Sequence, residues 1–61
     1  MSESIVVRFD HTLNKWGVVI DGVIIATSKS NCDAVFGARQ MAKLFDPEPE
    51  VINRIDSRDV A

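Results

Sequence analysis

The chain has 61 residues, of which 7 are basic and 9 acidic, for a formal net charge of −2. A chain of this length is expected to form one small domain, which buries only about 60% of the surface that its unfolded form exposes. The apolar content of 46% excludes a disordered protein, and the single cysteine, Cys32, excludes an internal disulfide. The mild acidity disfavours non-specific binding of nucleic acid, which needs a basic surface.

Motifs for export, membrane insertion and metal binding are missing from the sequence. The N-terminus, Met1 to Ser4, has neither the basic start nor the apolar stretch of a signal peptide. No run approaches the roughly 20 apolar residues of a membrane helix. His11 and Cys32 cannot supply the ligands of a tetrahedral zinc site. We therefore expect a cytoplasmic protein with no metal, no cofactor and no membrane contact.

The N-terminal half predicts three strands. Ser4–Asp10 and Lys15–Ile20 are rich in β-branched residues and are separated by a short turn at 11–14. Val23–Ser28 is the third strand. Asp21-Gly22 lies between two apolar runs, and this pair favours a two-residue type I′ hairpin in which both central residues have positive φ.

The apolar pattern then changes to a helical period. Ser30 is a candidate N-cap, and Asp33 follows it three residues later, as in a variant of the capping box. The helix is predicted from Asn31 to Phe45, and Asp46-Pro47 is expected to end it because the residue before proline avoids the α region. Six residues form the predicted core stripe of this helix: Ala34, Val35, Ala38, Met41, Ala42 and Phe45.

A last strand is predicted at Val51–Ser57, which gives the order β-β-β-α-β. This order indicates an α+β fold with a four-stranded sheet and one helix packed on one face. The first three strands form an antiparallel meander, and the last runs parallel to either the first or the third strand. Residues 1–61 are expected to form a single domain with disordered ends at 1–3 and 58–61.

Side chains alternate between the two faces of a strand, so the predicted register assigns each residue to a face. The register pairs Asp10 with Lys15, and across the hairpin it pairs Val18 with Ile25 and Gly17 with Ala26. The face that packs against the helix is then nearly all apolar. Its members are Ile5, Val7, Phe9, Trp16, Val18, Ile20, Val23, Ile25, Val51 and Ile55.

The opposite face of the sheet should meet water, yet it carries an apolar row of Val6, Val19 and Ile24 beside Arg8. Ile52 extends the row if the last strand lies next to it. Two interpretations are open. Either the β-branched residues stabilise an exposed sheet and have no partner, or the row is a contact surface for a second copy or for another protein.

The helix offers a second candidate surface. At about 100° per residue, Phe36 points away from Ala38, the centre of the core stripe, and lies among polar residues that include Arg39 and Lys43. An exposed aromatic in such surroundings is typical of an interface anchor. The alternative is that the helix rolls or that a loop covers the ring. Gly37 beside it suggests close approach by another group, or else a flexible surface helix.

No pattern of catalytic residues is present. His11 lies in a turn, and the sequence has neither a glycine-rich phosphate loop nor a nucleophile motif. We expect no enzyme and no small-molecule substrate. The alternative is a small nucleic-acid-binding domain that uses Arg8, Lys15 and Arg54. Against it, Phe9 and Trp16 fall on the core face, where they cannot stack on bases.

Three segments carry a resemblance to a known group: "KWGVVIDGVIIATS", "DAVFGARQMAKLF" and "VINRIDS". Together they resemble small bacterial and phage domains of unknown function of the YegP-like kind, over roughly residues 5–56. The helix lacks the Thr-plus-acid start of that group, and "DPEPE" is a longer loop. The resemblance implies the topology and no activity.

The sequence thus predicts a non-enzymatic protein-interaction or regulatory module that forms a homodimer. By analogy with short phage-encoded chains, we expect a phage- or bacterium-encoded modulator of a partner protein. The predicted interaction residues are Val6, Arg8, Val19, Ile24, Phe36, Arg39 and Lys43.

Overall fold

A computed structural model describes residues 4–56 of the chain. Its elements follow the order β1 (Ser4–Asp10), β2 (Lys15–Ile20), β3 (Val23–Ser28), α1 (Asn31–Ala42) and β4 (Glu50–Arg54). The first three strands have the predicted bounds. The predictions for residues 1–3 and 58–61, and for the end of the last strand at Ser57, lie outside the described residues.

The sheet has four strands in the order β3-β2-β1-β4. The pairs β1–β2 and β2–β3 are antiparallel, and β4 runs parallel to β1. The predicted α+β fold is therefore confirmed, and the partner of the last strand is the first strand. Because β3 and β4 lie at opposite edges, α1 connects the two edges across one face of the sheet.

Both turns of the meander follow from local chemistry. Asp21 and Gly22 have φ values of 54° and 78°, the positive values that a type I′ hairpin requires. In the turn between β1 and β2, the Asp10 carboxylate accepts hydrogen bonds from the backbone N–H of Thr12 at 2.9 Å and of Leu13 at 3.1 Å. Asp10 pairs with Lys15 as the sequence predicts.

The predicted register between β2 and β3 is wrong beyond Ile24. Val19 pairs with Ile24, but Val18 pairs with Ala26, so Ile25 is an extra residue in a β-bulge. One inserted residue exchanges the faces of everything that follows it in the strand. Ile25 therefore leaves the core and is 44% exposed, whereas Ala26 packs against the core.

The core lies between α1 and one face of the sheet. It contains Ile5, Val7, Phe9, Trp16, Val18, Ala34, Ala38 and Ala42. The three alanines lie at i, i+4 and i+8 on the buried side of α1, and their small side chains allow the helix backbone to approach the sheet closely. The Phe9 and Trp16 rings pack edge to face, with centroids 5.4 Å apart.

The helix begins at Asn31 as predicted, but its capping and its C-terminal end differ from the prediction. Ser30 is the N-cap residue, but its side chain makes no capping hydrogen bond; instead, its N–H donates to the Ser28 hydroxyl at 3.3 Å. The helix ends at Ala42, because a turn follows in which the N–H of Phe45 donates to the carbonyl of Ala42 at 3.2 Å. Phe45 thus leaves the core stripe and is 45% exposed.

Two further residues assigned to the core face are exposed. Val23 is 61% exposed, because it begins an edge strand that has a neighbour on one side only. Ile55 is 62% exposed, because β4 ends at Arg54 and a short helical turn follows. The predicted last strand, Val51–Ser57, therefore starts one residue too late and continues too far.

Candidate protein-interaction surface

The apolar row extends across all four strands of the sheet. Val6 pairs with Val19 and with Ile52, and Val19 pairs with Ile24. We call Ile52, Val6, Val19 and Ile24 the open-face row. The helix lies on the other face, and residues 4–56 place no second layer over this row.

The row is less exposed than the sequence implies. Val19 is only 8% exposed, and Val6, Ile24 and Ile52 are half-buried. Ile24 leans over Gly17, since a Cβ built on Gly17 would lie 3.5 Å from Ile24 Cγ2. Through this contact, part of the row stabilises the open sheet itself.

Charged residues flank the row on both sides. Arg8 and Arg54 are direct neighbours in the parallel β1–β4 pair, and both are exposed. Arg8 lies two residues after Val6, and Arg54 lies two residues after Ile52, so all four side chains are on the same face. Glu50 lies two residues before Ile52 on the same face. The acidic residue and the basic residues therefore lie on opposite sides of the row. Within residues 4–56, none of these three charges forms an ion pair.

The sequence does not identify Glu50 and Arg54 as part of the interaction surface. It assigns Arg54 only to the alternative of nucleic-acid binding, and Glu50 to a loop. Their place beside the row depends on β4 pairing with β1, and the sequence leaves that pairing open. The alternation of Glu50, Ile52 and Arg54 is the one available signal.

On the helix, Phe36 is 65% exposed, as predicted from its angle to Ala38, which is 0% exposed. Phe36 and Arg39 line a groove of about 340 Å³ between α1 and β4. Its other lining residues are Asn31, Cys32, Val35 and Asn53. Lys43 is exposed at the C-cap of α1 and is not part of this groove.

A pair of amide side chains connects the first turn of the helix to the edge of the sheet. Asn31 Nδ2 donates to Asn53 Oδ1 at 2.9 Å, and Asn53 Nδ2 donates to Asn31 Oδ1 at 3.2 Å. The sequence does not predict this reciprocal pair. The available signal is a polar residue, Asn53, at a core-face position of the last strand.

Exposed large apolar side chains lie away from the open-face row. Besides Phe36 they are Leu13, Val23, Ile25, Leu44, Phe45 and Ile55. They belong to the turns, the edge strand β3 and the segments that follow α1 and β4. Single exposed apolar residues of this kind are normal on protein surfaces, and none of them pairs with a row residue in the strand register.

The part of the chain that the structure describes has few other side chains with reactive or metal-binding groups. His11 packs its ring against Phe9, with centroids 5.0 Å apart, and Cys32 has an exposed free thiol. Residues 4–56 contain no group of three or more His, Cys, Asp or Glu side chains placed to hold a metal ion. No helix among them has the length and apolarity needed to cross a bilayer.

Comparisons with protein-family models, curated proteins and solved structures found no match to this chain. The resemblance to YegP-like domains therefore stays a prediction, and the function is argued from the surface itself.

Proposed function

We propose that this chain is a non-enzymatic protein-interaction module that binds protein through the open face of its sheet. The observation that carries the proposal is the open-face row, which runs in register across all four strands. A contiguous apolar strip with charged residues at its margins resembles the anatomy of protein interfaces, which have an apolar centre and a polar rim.

The energetics suit a modest interaction. Burial of apolar surface contributes about 25 cal/mol per Å², and the row residues are already at least half-buried. The flanking charges then set partner choice and orientation more than they set affinity.

Ile24→Asp tests the proposal, because Ile24 lies on the open face and outside the core. We expect the variant to fold, as judged by circular dichroism and Trp16 fluorescence, and to lose at least tenfold in affinity for protein partners that wild-type bait binds. Binding is measured with immobilised bait, purified partner and a concentration series.

Ile25→Asp is the matched control. Ile25 is the next residue in the same strand and is 44% exposed, but as the extra residue of the bulge it pairs with no residue of β2. It should therefore bind as the wild type does. Equal binding by wild type and Ile24→Asp would contradict the proposal, as would equal loss of binding in the two variants.

One observation favours a second candidate, nucleic-acid binding. Arg8 and Arg54 are neighbours on the open face and form no ion pair within residues 4–56, so a phosphate could lie between them. Trp16 is only 3% exposed and Phe9 only 8%, however, so no base could stack on either ring. A gel shift with single- and double-stranded DNA and RNA at low salt, where binding is strongest, excludes this candidate if no complex forms.

A further inference from the structure

We infer that the open face binds a second copy of this chain, with the two sheets face to face and their strands antiparallel. In this arrangement Arg54 of each copy lies opposite Glu50 of the other. The inference rests on the proposed function, because it names the occupant of the same surface.

The order of charges along the strands carries the inference. Along the direction of the strands, the face carries first an acidic residue, then the apolar row and then a pair of basic residues. On β4 this order is Glu50, Ile52 and Arg54. The neighbouring strand β1 carries Ser4, Val6 and Arg8 at the matching positions. Asp10 follows on the same face and pairs with Lys15 of β2, so these two opposite charges lie side by side. Of the charges nearest the row, Glu50 thus lies on one side, and Arg8 and Arg54 lie on the other.

A two-fold axis that runs along the row makes such a face complementary to itself. Rotation about this axis places each row residue against its own counterpart and reverses the direction of every strand. The acidic end of one copy then meets the basic end of the other, so each dimer gains two contacts between Arg54 and Glu50. Closed two-fold dimers of this isologous kind are the commonest protein assemblies.

In a single copy, two positive charges lie next to each other, and the proposed dimer places a carboxylate beside them. Arg8 and Arg54 are direct neighbours across the β1–β4 pair, and like charges at such positions destabilise a sheet. In residues 4–56 no carboxylate pairs with either guanidinium. Glu50 of a second copy would lie beside both, because neighbouring strands are only about 4.8 Å apart.

The size of the face sets the expected strength. The four strands lie about 4.8 Å apart, and each is about five residues long with a rise of about 3.3 Å per residue. The open face therefore covers roughly 300 Å² in projection per copy. The two copies together contribute roughly 600 Å² in projection, which is less than the total of about 1,200–2,000 Å² that specific interfaces commonly bury and fits a weak, transient dimer. We therefore expect a dimer that dissociates in the micromolar range and weakens as salt screens the charge pairs.

The test is sedimentation equilibrium at low ionic strength with three samples: Arg54→Glu, Glu50→Arg and their equimolar mixture. Each single variant places like charges opposite each other in its own dimer, so the dissociation constant should rise at least tenfold. In the mixed dimer, the glutamate introduced at position 54 of one copy faces the arginine introduced at position 50 of the other. The second contact keeps the native pair of Arg54 and Glu50, so dimers should reappear at wild-type concentrations.

Lys29→Glu and Glu48→Arg are the matched controls, because both residues are exposed and lie off the sheet. They change the net charge as the test variants do and should leave the dimer unchanged. Failure of the mixture to restore a dimer, or a monomeric wild type at several hundred micromolar, would overturn the inference. The proposed function would then still stand if Ile24→Asp abolishes binding to another protein.

Discussion

At the scale of single residues, Gly37 shows how the structure decides between two interpretations of one residue. The sequence leaves open a close approach of another group to Gly37 or a flexible surface helix. A Cβ built at Gly37 meets nothing within 4 Å among the described residues, so no group within 4–56 requires glycine there. Its cost to the helix relative to alanine, about 1 kcal/mol, is therefore uncompensated within this part of the chain.

We predict that Gly37→Ala raises the free energy of unfolding by about 1 kcal/mol, since it removes this propensity cost. Urea denaturation followed by Trp16 fluorescence measures the change. Gly22→Ala is the opposite case, because Gly22 has a φ of 78°, and it should lose about 1 kcal/mol. A loss of stability in Gly37→Ala would mean that the helix surface at position 37 is covered.

At the scale of elements, the bulge in β3 decides which of two adjacent side chains enters the core. Ala26 packs against the core beside Val18, whereas Ile25 is exposed. The bulge also distorts an edge strand, a device that limits pairing with the edges of other molecules. Face-to-face association through the open face does not use that edge.

The bulged and the regular register predict opposite effects on stability for substitutions at positions 25 and 26. Ala26→Asp places a charge against the apolar core and should lower the free energy of unfolding by about 2 kcal/mol or more. Ile25→Asp should change it by less than about 0.5 kcal/mol, as surface substitutions usually do. Thermal and urea unfolding of the two variants distinguish the registers, and an Ala26→Asp variant more stable than Ile25→Asp would restore the unbulged pairing.

At the scale of the whole molecule, stability and association are linked. A 61-residue chain has a small core and only a small margin of stability. Any partner that binds the folded form adds to that margin by mass action. A face-to-face dimer would therefore contribute to folding as well as to function.

We predict that the midpoint of thermal unfolding rises with protein concentration in the wild type, because only folded chains form the dimer. In Arg54→Glu the midpoint should be independent of concentration, while in Lys29→Glu it should rise as in the wild type. Circular dichroism melts over a roughly 50-fold range of concentration in the micromolar region measure this. A midpoint that does not vary with concentration in the wild type would contradict the dimer.

The sequence by itself determined the local parts of this protein. The strands β1 to β3, the Asp21-Gly22 turn and the pairing of Asp10 with Lys15 follow from short-range patterns and turn chemistry. The apolar period of α1 likewise identified its buried side and the exposure of Phe36. These features depend on residues close in the chain, so the sequence contains all the information they need.

Only the tertiary structure decided which strand β4 joins, and with it the composition of the open face. Parallel pairing brings together segments far apart in the chain, and no turn fixes its register. The neighbouring positions of Arg8 and Arg54, and the position of Glu50 on the other side of the row, follow from that pairing. The bulge at Ile25 could not be predicted from the sequence either. An extra residue in a strand leaves the turn residues unchanged and alters only the packing of that strand.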